Sequence, residues 1–204
     1  MNLKLRNKFI KLFKLFLSFS DEGEDKLLLQ VFMSRGIRIG TYLDIGAYHP
    51  VRVSNTFLLY LWGWKGICVD ANAKWLFKLL RPRDKFIYGY VEAKESYYFH
   101  KKLFTSDFSL AKDMIKKGNE YLYKEVPFIP AETFKGINID LLDLDIDGLD
   151  EMVLRKLLDN ISPRFILTED KALPEQSGIY DFLTSKNYTR IANTTRNGLY
   201  ETKN

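Results

Sequence analysis

The sequence predicts an α/β domain whose parallel strands carry a ligand site at their carboxyl ends. The first observation is the stretch Thr41–Asp70, "TYLDIGAYHPVRVSNTFLLYLWGWKGICVD". A short apolar run ends there in Asp44-Ile45-Gly46-Ala47, a helical stretch follows, and a second apolar run, Gly66–Val69, closes on Asp70. The second observation is that apolar runs and helical stretches keep alternating downstream, up to a strand pair at the C-terminus. Strand, glycine turn, helix and a second strand ending in a carboxylate is the order that holds a nucleoside-containing cofactor. Gly46 lets the backbone approach the ligand. Asp70, 26 residues after Asp44, is placed to accept hydrogen bonds from ribose hydroxyls.

The turn argues against a dinucleotide. A pyrophosphate needs a G-x-G-x-x-G turn and helix amides to hold its charge. Here one glycine is followed by Tyr48-His49-Pro50, and the proline has no N–H to donate. The acid that opens the turn, Asp44, would repel a phosphate and suits a cationic group, such as the amino end of S-adenosylmethionine.

Helical periodicity comes first along the chain. In "MNLKLRNKFIKLFKLFLSFS", Leu3, Leu5, Phe9, Ile10, Leu12, Phe13, Phe16 and Leu17 share one half of the wheel, against Lys4, Lys8, Lys11 and Lys14. The division is therefore a basic amphipathic helix over residues 1–20 and a domain over 21–204. Glu24–Met33 is helical, Thr41–Ile45 a strand, and Ser54–Trp62 a helix capped by Ser54 or Asn55. Gly66–Asp70 is the second strand, Ala73–Leu80 a helix stopped by Pro82, and Phe86–Val91 a third strand. Glu92–Phe134 has no clean period; it reads as a strand, Ser96–His100, then a loop with a helical stretch, Ser109–Lys117. Ile139–Asp145, Leu149–Leu158 and Arg164–Glu169 follow as strand, helix and strand. Gly178–Ser185 is a helix, and Tyr188–Asn193 with Gly198–Glu201 form an antiparallel pair around Thr195–Asn197.

A chain of 204 residues fits one domain with its own core. The formal charge of +5 lies in residues 1–20, which hold five cations and no acid, so the rest of the chain is balanced. A nucleic-acid enzyme would spread a basic patch over its folded face, and no nucleic-acid partner is expected. The lone Cys68 sits inside an apolar run and reads as a buried small hydrophobe, consistent with a reducing, cytoplasmic setting. The N-terminal segment is too short an apolar run to span a bilayer, and lysines interrupt any signal-peptide core. It can lie on the inner face of an anionic membrane, chiefly through residues 1–17, or pack on protein.

Six blocks in chain order are similar to the FkbM family of S-adenosylmethionine-dependent methyltransferases: "SFSDEGED" (Ser18–Asp25), "YLDIGAYHPVRVSNT" (Tyr42–Thr56), "GWKGICVDAN" (Gly63–Asn72), "RPRD" (Arg81–Asp84), "IDLLDLDIDGLDEMVL" (Ile139–Leu154) and "PRFILTED" (Pro163–Asp170). The chain departs from the family pattern at Asp21, where Gln is usual, at Asp147, where Glu is usual, and at Asp143, where a small or basic residue is usual. The resemblance implies a class I, Rossmann-like fold: a mostly parallel seven-stranded sheet, an antiparallel C-terminal pair, and helices on both faces. It implies O-methyl transfer from S-adenosylmethionine to a sugar hydroxyl of a glycan or glycan precursor.

On that reading Asp44 serves the amino-acid end of the cofactor and Asp70 the ribose, with Gly46, Ala47, Tyr48, Ser54, Asn55, Thr56 and Asn72 lining the same site. A sugar hydroxyl is a weak nucleophile, so a base is needed. Asp145 and Asp147, closing the fourth main strand, are the first candidates, with His49 and Glu22 next. The bland alternatives are a solvated acid for Asp70, a helix cap for Ser54-Asn55-Thr56, a hydrogen-bonded loop residue for His49, and a helix start for Glu22-Gly23-Glu24-Asp25. Asp143, Asp145 and Asp147 share one face of an extended strand, which a divalent metal could relieve; the alternation alone does not require one. Two other functions compete: a degenerate family member that binds cofactor or a partner without turnover, and a nucleotide-dependent oxidoreductase, which the single glycine disfavours.

Overall fold

A computed structural model describes residues 18–71, 74–93, 95–99, 103–105, 121–146, 149–170 and 178–203. The expected helices at residues 1–17 and Ser109–Lys117, and the site candidates Asn72 and Asp147, lie outside the described residues.

The chain opens with Ser18–Ser20, which are not helical although they end the segment read as amphipathic. The cause is Asp25: its carboxylate accepts the Ser18 hydroxyl at 2.7 Å, the Phe19 amide at 2.7 Å and the Ser20 hydroxyl at 2.9 Å. That fixes a bent entry to α1 (Glu24–Ser34). Then follow β1 (Thr41–Ile45), α2 (Phe57–Leu61), β2 (Lys65–Asp70), α3 (Lys74–Leu80) and β3 (Lys85–Tyr88). A small insertion carries β4 (Tyr90–Val91), β5 (Glu95–Phe99), β6 (Leu103–Thr105), β7 (Tyr121–Glu125), β8 (Phe128–Ile129) and a 3-10 turn, Ala131–Phe134. The chain returns through β9 (Leu141–Leu144), α4 (Asp150–Leu158), β10 (Phe165–Glu169), α5 (Gly178–Ser185), β11 (Tyr188–Asn193) and β12 (Asn197–Thr202).

Seven strands form the main sheet in the order β11-β12-β10-β9-β1-β2-β3, with β12 antiparallel to both its neighbours. The strand order reverses at β1, which pairs with β2 on one side and β9 on the other. In open α/β sheets the crevice at such a reversal is where ligands bind.

Alternation along the strands feeds two cores. Leu43 and Ile45 of β1, Leu142 and Leu144 of β9 and Ile166 of β10 pack with α4 and α5. Tyr42, Cys68, Leu141, Phe165 and Leu167 point the other way, into Leu28, Leu29 and Phe32 of α1, Leu58 and Leu59 of α2 and Phe77 of α3. Phe32 stacks on the buried Trp64 at 4.6 Å and meets Phe165 edge-on at 4.9 Å. Trp64 is therefore core.

The expected third strand, Phe86–Val91, is broken in two. Gly89 has φ 146, and a Cβ there would fall 2.4 Å from the Pro127 carbonyl. The close approach turns Tyr90–Val91 away to pair with β8 in a two-stranded sheet. In the region without a clean period, Leu103–Thr105 and Tyr121–Glu125 flank β5 in an antiparallel three-stranded sheet. The expected fourth strand, Ile139–Asp145, ends at Leu144, so Asp145 belongs to the loop beyond. α2 begins at Phe57 rather than Ser54, because Ser54 stays outside the helix and its hydroxyl accepts the Phe57 amide at 3.1 Å.

Candidate functional site

The parallel register sets the acids on two levels. Asp44 is the Cα partner of Cys68 on one side and of Asp143 on the other. One strand step further out come Gly46, Asp70 and Asp145. Gly46 has φ 86, and a Cβ on it would lie 1.8 Å from the Asp145 carbonyl oxygen. No residue with a side chain fits between these two strand exits. The Asp145 amide donates to Ile45 O at 3.0 Å, which holds the exits together.

The lower level is closed by side chains. Asp44 Oδ2 accepts the Thr56 hydroxyl, with Arg81 Nη1 3.9 Å away. Arg81, fully buried, also donates to Asp84 Oδ2 (2.6 Å), the Tyr42 hydroxyl (2.6 Å), the Thr56 hydroxyl (2.9 Å) and the Ser54 hydroxyl (3.4 Å). Asp84 takes the Tyr42 hydroxyl at 2.7 Å and the Gly66 amide at 2.9 Å as well. Asn55 Nδ2 donates to Asp143 Oδ1 at 3.1 Å.

Two carboxylates side by side in the interior resist ionisation. Burial, opposed by Arg81 and Thr56 and aided by Asp84 and Asp70, raises Asp44 to about 6. Asp143 goes well above the usual carboxylate range, through burial first and then the charge of Asp44, against the Asn55 hydrogen bond. Burial also raises the Cys68 thiol well above its ordinary value. It is an inert core thiol.

The upper level is the edge itself. Asp70 Oδ2 accepts the Tyr48 amide at 2.9 Å, and the Asp70 side chain is tucked under that turn. Ala47 is buried beside it, its amide bonded to Val69 O at 3.2 Å. Asp145 is exposed. Between β1, β2 and the β9 exit lies an apolar slot walled by Ile45, Val69, Val91, Ile146 and Leu149, with Gly46 and Gly89 leaving two sides open to the backbone. Asp150, buried at the start of α4, pins the slot by accepting the Ile146 amide at 3.1 Å.

The two remaining base candidates are held elsewhere. His49 Nδ1 accepts the amides of Val51 (3.1 Å) and Arg52 (3.0 Å), a local turn that uses its acceptor nitrogen. Burial and then Arg52 lower its pKa. Its turn is flanked by Tyr48 at φ 45 and Val53 at φ 51, left-handed conformations that cost about 1–3 kcal/mol each. Glu22 is exposed and bonds Arg196, accepting its backbone amide and its Nε, both at 3.1 Å. Glu24, like Asp25, is a buried member of that block. Burial pushes its carboxyl up, but hydrogen bonds from Asn197, the Glu22 amide and others outweigh burial and hold it below the usual range. The "SFSDEGED" block thus ties the N-terminal entry to the β11–β12 turn.

The "RPRD" block belongs to the resemblance, yet the sequence alone assigns Arg81 and Asp84 no role. Nothing in their spacing shows that Arg81 turns inward under the site. Among the described residues no group of three or more His, Cys, Asp or Glu is placed to hold a metal ion, and no helix is long and apolar enough to cross a membrane.

The strand order, with its single reversed strand beside the outermost one, and a slot at the β1 exit define a class I methyltransferase fold. Two solved structures share it at low identity. A Pyrococcus horikoshii protein provisionally described as an RNA methyltransferase is 12% identical, with 93% of this chain and 88% of that chain covered and a TM-score of 0.50. YhhF of Escherichia coli, provisionally described as a methyltransferase, is 12% identical, with 93% and 92% covered and a TM-score of 0.50. No curated protein matches the sequence. The methyltransferase FkbM domain matches residues 44–190, most of the chain, and the protein belongs to that family.

Proposed function

We propose that the protein is an S-adenosylmethionine-dependent O-methyltransferase acting on a sugar hydroxyl of a glycan or glycan precursor. The observation that carries the cofactor reading is the outer level at the strand reversal: Asp70, Gly46 and Asp145 ranged beside an apolar slot. The donor set fits the group. The slot offers apolar walls to an adenine, and Asp70, at the carboxyl end of β2, offers a carboxylate to ribose hydroxyls. Acidic residues suit a cationic ligand and repel a pyrophosphate, which disfavours a dinucleotide.

When bound, S-adenosylmethionine supplies an electrophilic methyl group. The chain's part is to position the acceptor and take its proton. Asp145 is the described carboxylate best exposed for this, and Asp147 is the second candidate. The acceptor oxygen would give its proton to that carboxylate and its electron pair to the new oxygen–methyl bond, while the sulfur–methyl bond breaks with its electron pair going to sulfur, leaving S-adenosylhomocysteine. Asp44, buried and locked to Thr56 and Arg81, supports the turn from below and would reach the amino-acid end of the cofactor only through water.

Residues 1–17 are proposed to lie on an anionic membrane from the cytoplasmic side, where lipid-linked glycan precursors would be concentrated. The test of the whole reading is calorimetric titration of the full chain with S-adenosylmethionine and with NAD, then turnover on glycan extracts. Binding of S-adenosylmethionine alone, with methyl incorporation into an extract, is expected. NAD binding would point to the oxidoreductase reading, and cofactor binding without turnover to the degenerate one.

A further inference from the structure

The balanced charge of the folded domain conceals a segregated face. Between Gly63 and Tyr88 the acids are Asp70 and Asp84, and both point inward: Asp70 is under the Tyr48 turn and Asp84 is bound to Arg81. The cations of the same stretch, apart from Arg81, are exposed: Lys65, Lys74, Lys78, Arg83 and Lys85. Arg83 lies over the Tyr60 ring at 4.0 Å and donates to the Tyr60 carbonyl, and Lys74 lies over the Tyr88 ring at 5.7 Å. This stretch forms one edge of the sheet, because β3 is its outermost strand.

The same edge exposes large apolar side chains. On α3, Trp75 is 67% exposed, Leu79 is 66% exposed and Leu80 is 41% exposed, while Phe77 is buried in the core. Trp75 and Leu79 are four residues apart and share one stripe; Lys74 and Lys78 form the stripe next to it. An exposed tryptophan and leucine flanked by lysines on one helix face is the composition of a helix that lies in a lipid interface. A nucleic acid would use the cations and could stack on Trp75, but it gains nothing from Leu79. An acidic protein surface would meet the cations, but two bare apolar side chains beside them fit the apolar layer beneath lipid headgroups better.

We infer that the α3–β3 edge, through Trp75, Leu79, Lys74, Lys78, Arg83 and Lys85, is a docking surface for an anionic lipid membrane. It is a different stretch of sequence from residues 1–17, and the inference is independent of the methyl-transfer reading. α3 starts four residues beyond Asp70, so a membrane against it lies beside the candidate cofactor edge and brings a lipid-borne molecule near that edge.

The test is co-sedimentation of the full chain with vesicles of phosphatidylcholine alone and of phosphatidylcholine mixed with phosphatidylglycerol. Three proteins are compared: the unchanged chain, K74E/K78E and W75S/L79S; K135E/K203E serves as an exposed-charge control. The unchanged chain is expected to bind only the anionic vesicles, less so as salt rises. Each of the first two variants is expected to lose at least about tenfold in vesicle affinity, with the control unchanged. Trp75 emission should shift to the blue on anionic vesicles, and W75F should lose that shift. S-adenosylmethionine affinity, measured alongside, should stay the same in every variant, which separates this inference from the proposed activity. Vesicle binding untouched by both variants overturns the inference and leaves any binding to residues 1–17. So does a preference for an RNA homopolymer over vesicles, or a dimer that W75S/L79S breaks in a chain that ignores vesicles.

Discussion

Asp44 and Asp143 sit one strand step below Asp70 and Asp145, and that step separates two kinds of acid. The lower pair is enclosed by side chains that arrive from the core: Thr56 and Arg81 for Asp44, Asn55 for Asp143. In the upper pair, Asp70 takes a backbone amide from the turn above it and Asp145 is exposed. The same residue type at the same sheet edge therefore serves support or contact according to register. A parallel ladder imposes this, since a shift of one residue reverses the face and a shift of two changes the depth.

The sharpest way to break the comparison is to open the lower level. Arg81→Met removes the cation that serves Asp44, Asp84, Tyr42 and Thr56 at once. Loss of one partner in a buried pair typically costs about 3–5 kcal/mol, and urea unfolding should show a loss of that order. A variant of near-normal stability would mean the network is not what holds the β1 exit. The upper level should answer differently. Asp145→Asn is expected to lower turnover about 10²–10⁴-fold while stability and cofactor affinity stay close to normal, since a base acts chiefly in the transition state. Steady-state kinetics beside calorimetry decides this, and unchanged turnover would pass the role to Asp147.

Asp70→Ala comes next in size. Loss of a hydrogen bond to a charged acceptor costs about 1–3 kcal/mol, and S-adenosylmethionine affinity should fall by that amount in a protein that still folds. Normal affinity would leave Asp70 as a brace for the Tyr48 turn and no more. The pair Arg81→Met and Asp70→Ala thus tests both levels with opposite readouts, stability for one and binding for the other.

How much of this was legible beforehand follows the same division. β1, α5 and β11 stand at their expected bounds, because their apolar periods are strong and their ends are marked by glycine or polar residues. The break at Gly89 was not legible, since it depends on the Pro127 carbonyl, which is distant in sequence. The insertion sheet was missed in part because its aromatic residues carry no clean period. At the site, Asp44 and Asp70 could be picked out from spacing, yet their depth could not. Depth is set by the β1–β2 and β1–β9 registers, and those are long-range facts. Arg81 was invisible for a related reason: an arginine between a helix and a proline reads as surface until the acids it meets, from β1 and its own turn, are seen around it.

The finest test lies within the lower level, where Asp44 and Asp143 face each other across the β1–β9 register with Asn55 and Thr56 above them and Glu24 and Asp145 nearby. Both carboxyls titrate higher in the folded protein than in the unfolded chain, so the folded state holds more protons. Stability then falls as pH rises, beginning above the unfolded value near 4, passing through Asp44 at about 6 and continuing upward for Asp143. Glu22, Glu24, Glu92 and Glu201, whose carboxyls are lowered, act in the opposite sense only at more acid pH. Between pH 5 and pH 8 the raised pair titrates together with His49, whose lowered pKa acts in the opposite sense; the comparison of parent with variant cancels His49 and reads the pair. Asp143→Asn keeps the side-chain shape and an oxygen for Asn55 while removing one titrating group and easing the other. Urea unfolding should show the variant more stable than the parent at pH 8, with the difference shrinking towards pH 5. The change in slope is at most about 1.4 kcal/mol per pH unit for one proton. A parent and variant with parallel pH profiles would show that Asp143 is ionised in the fold, and that some cation the chain itself supplies already balances the pair.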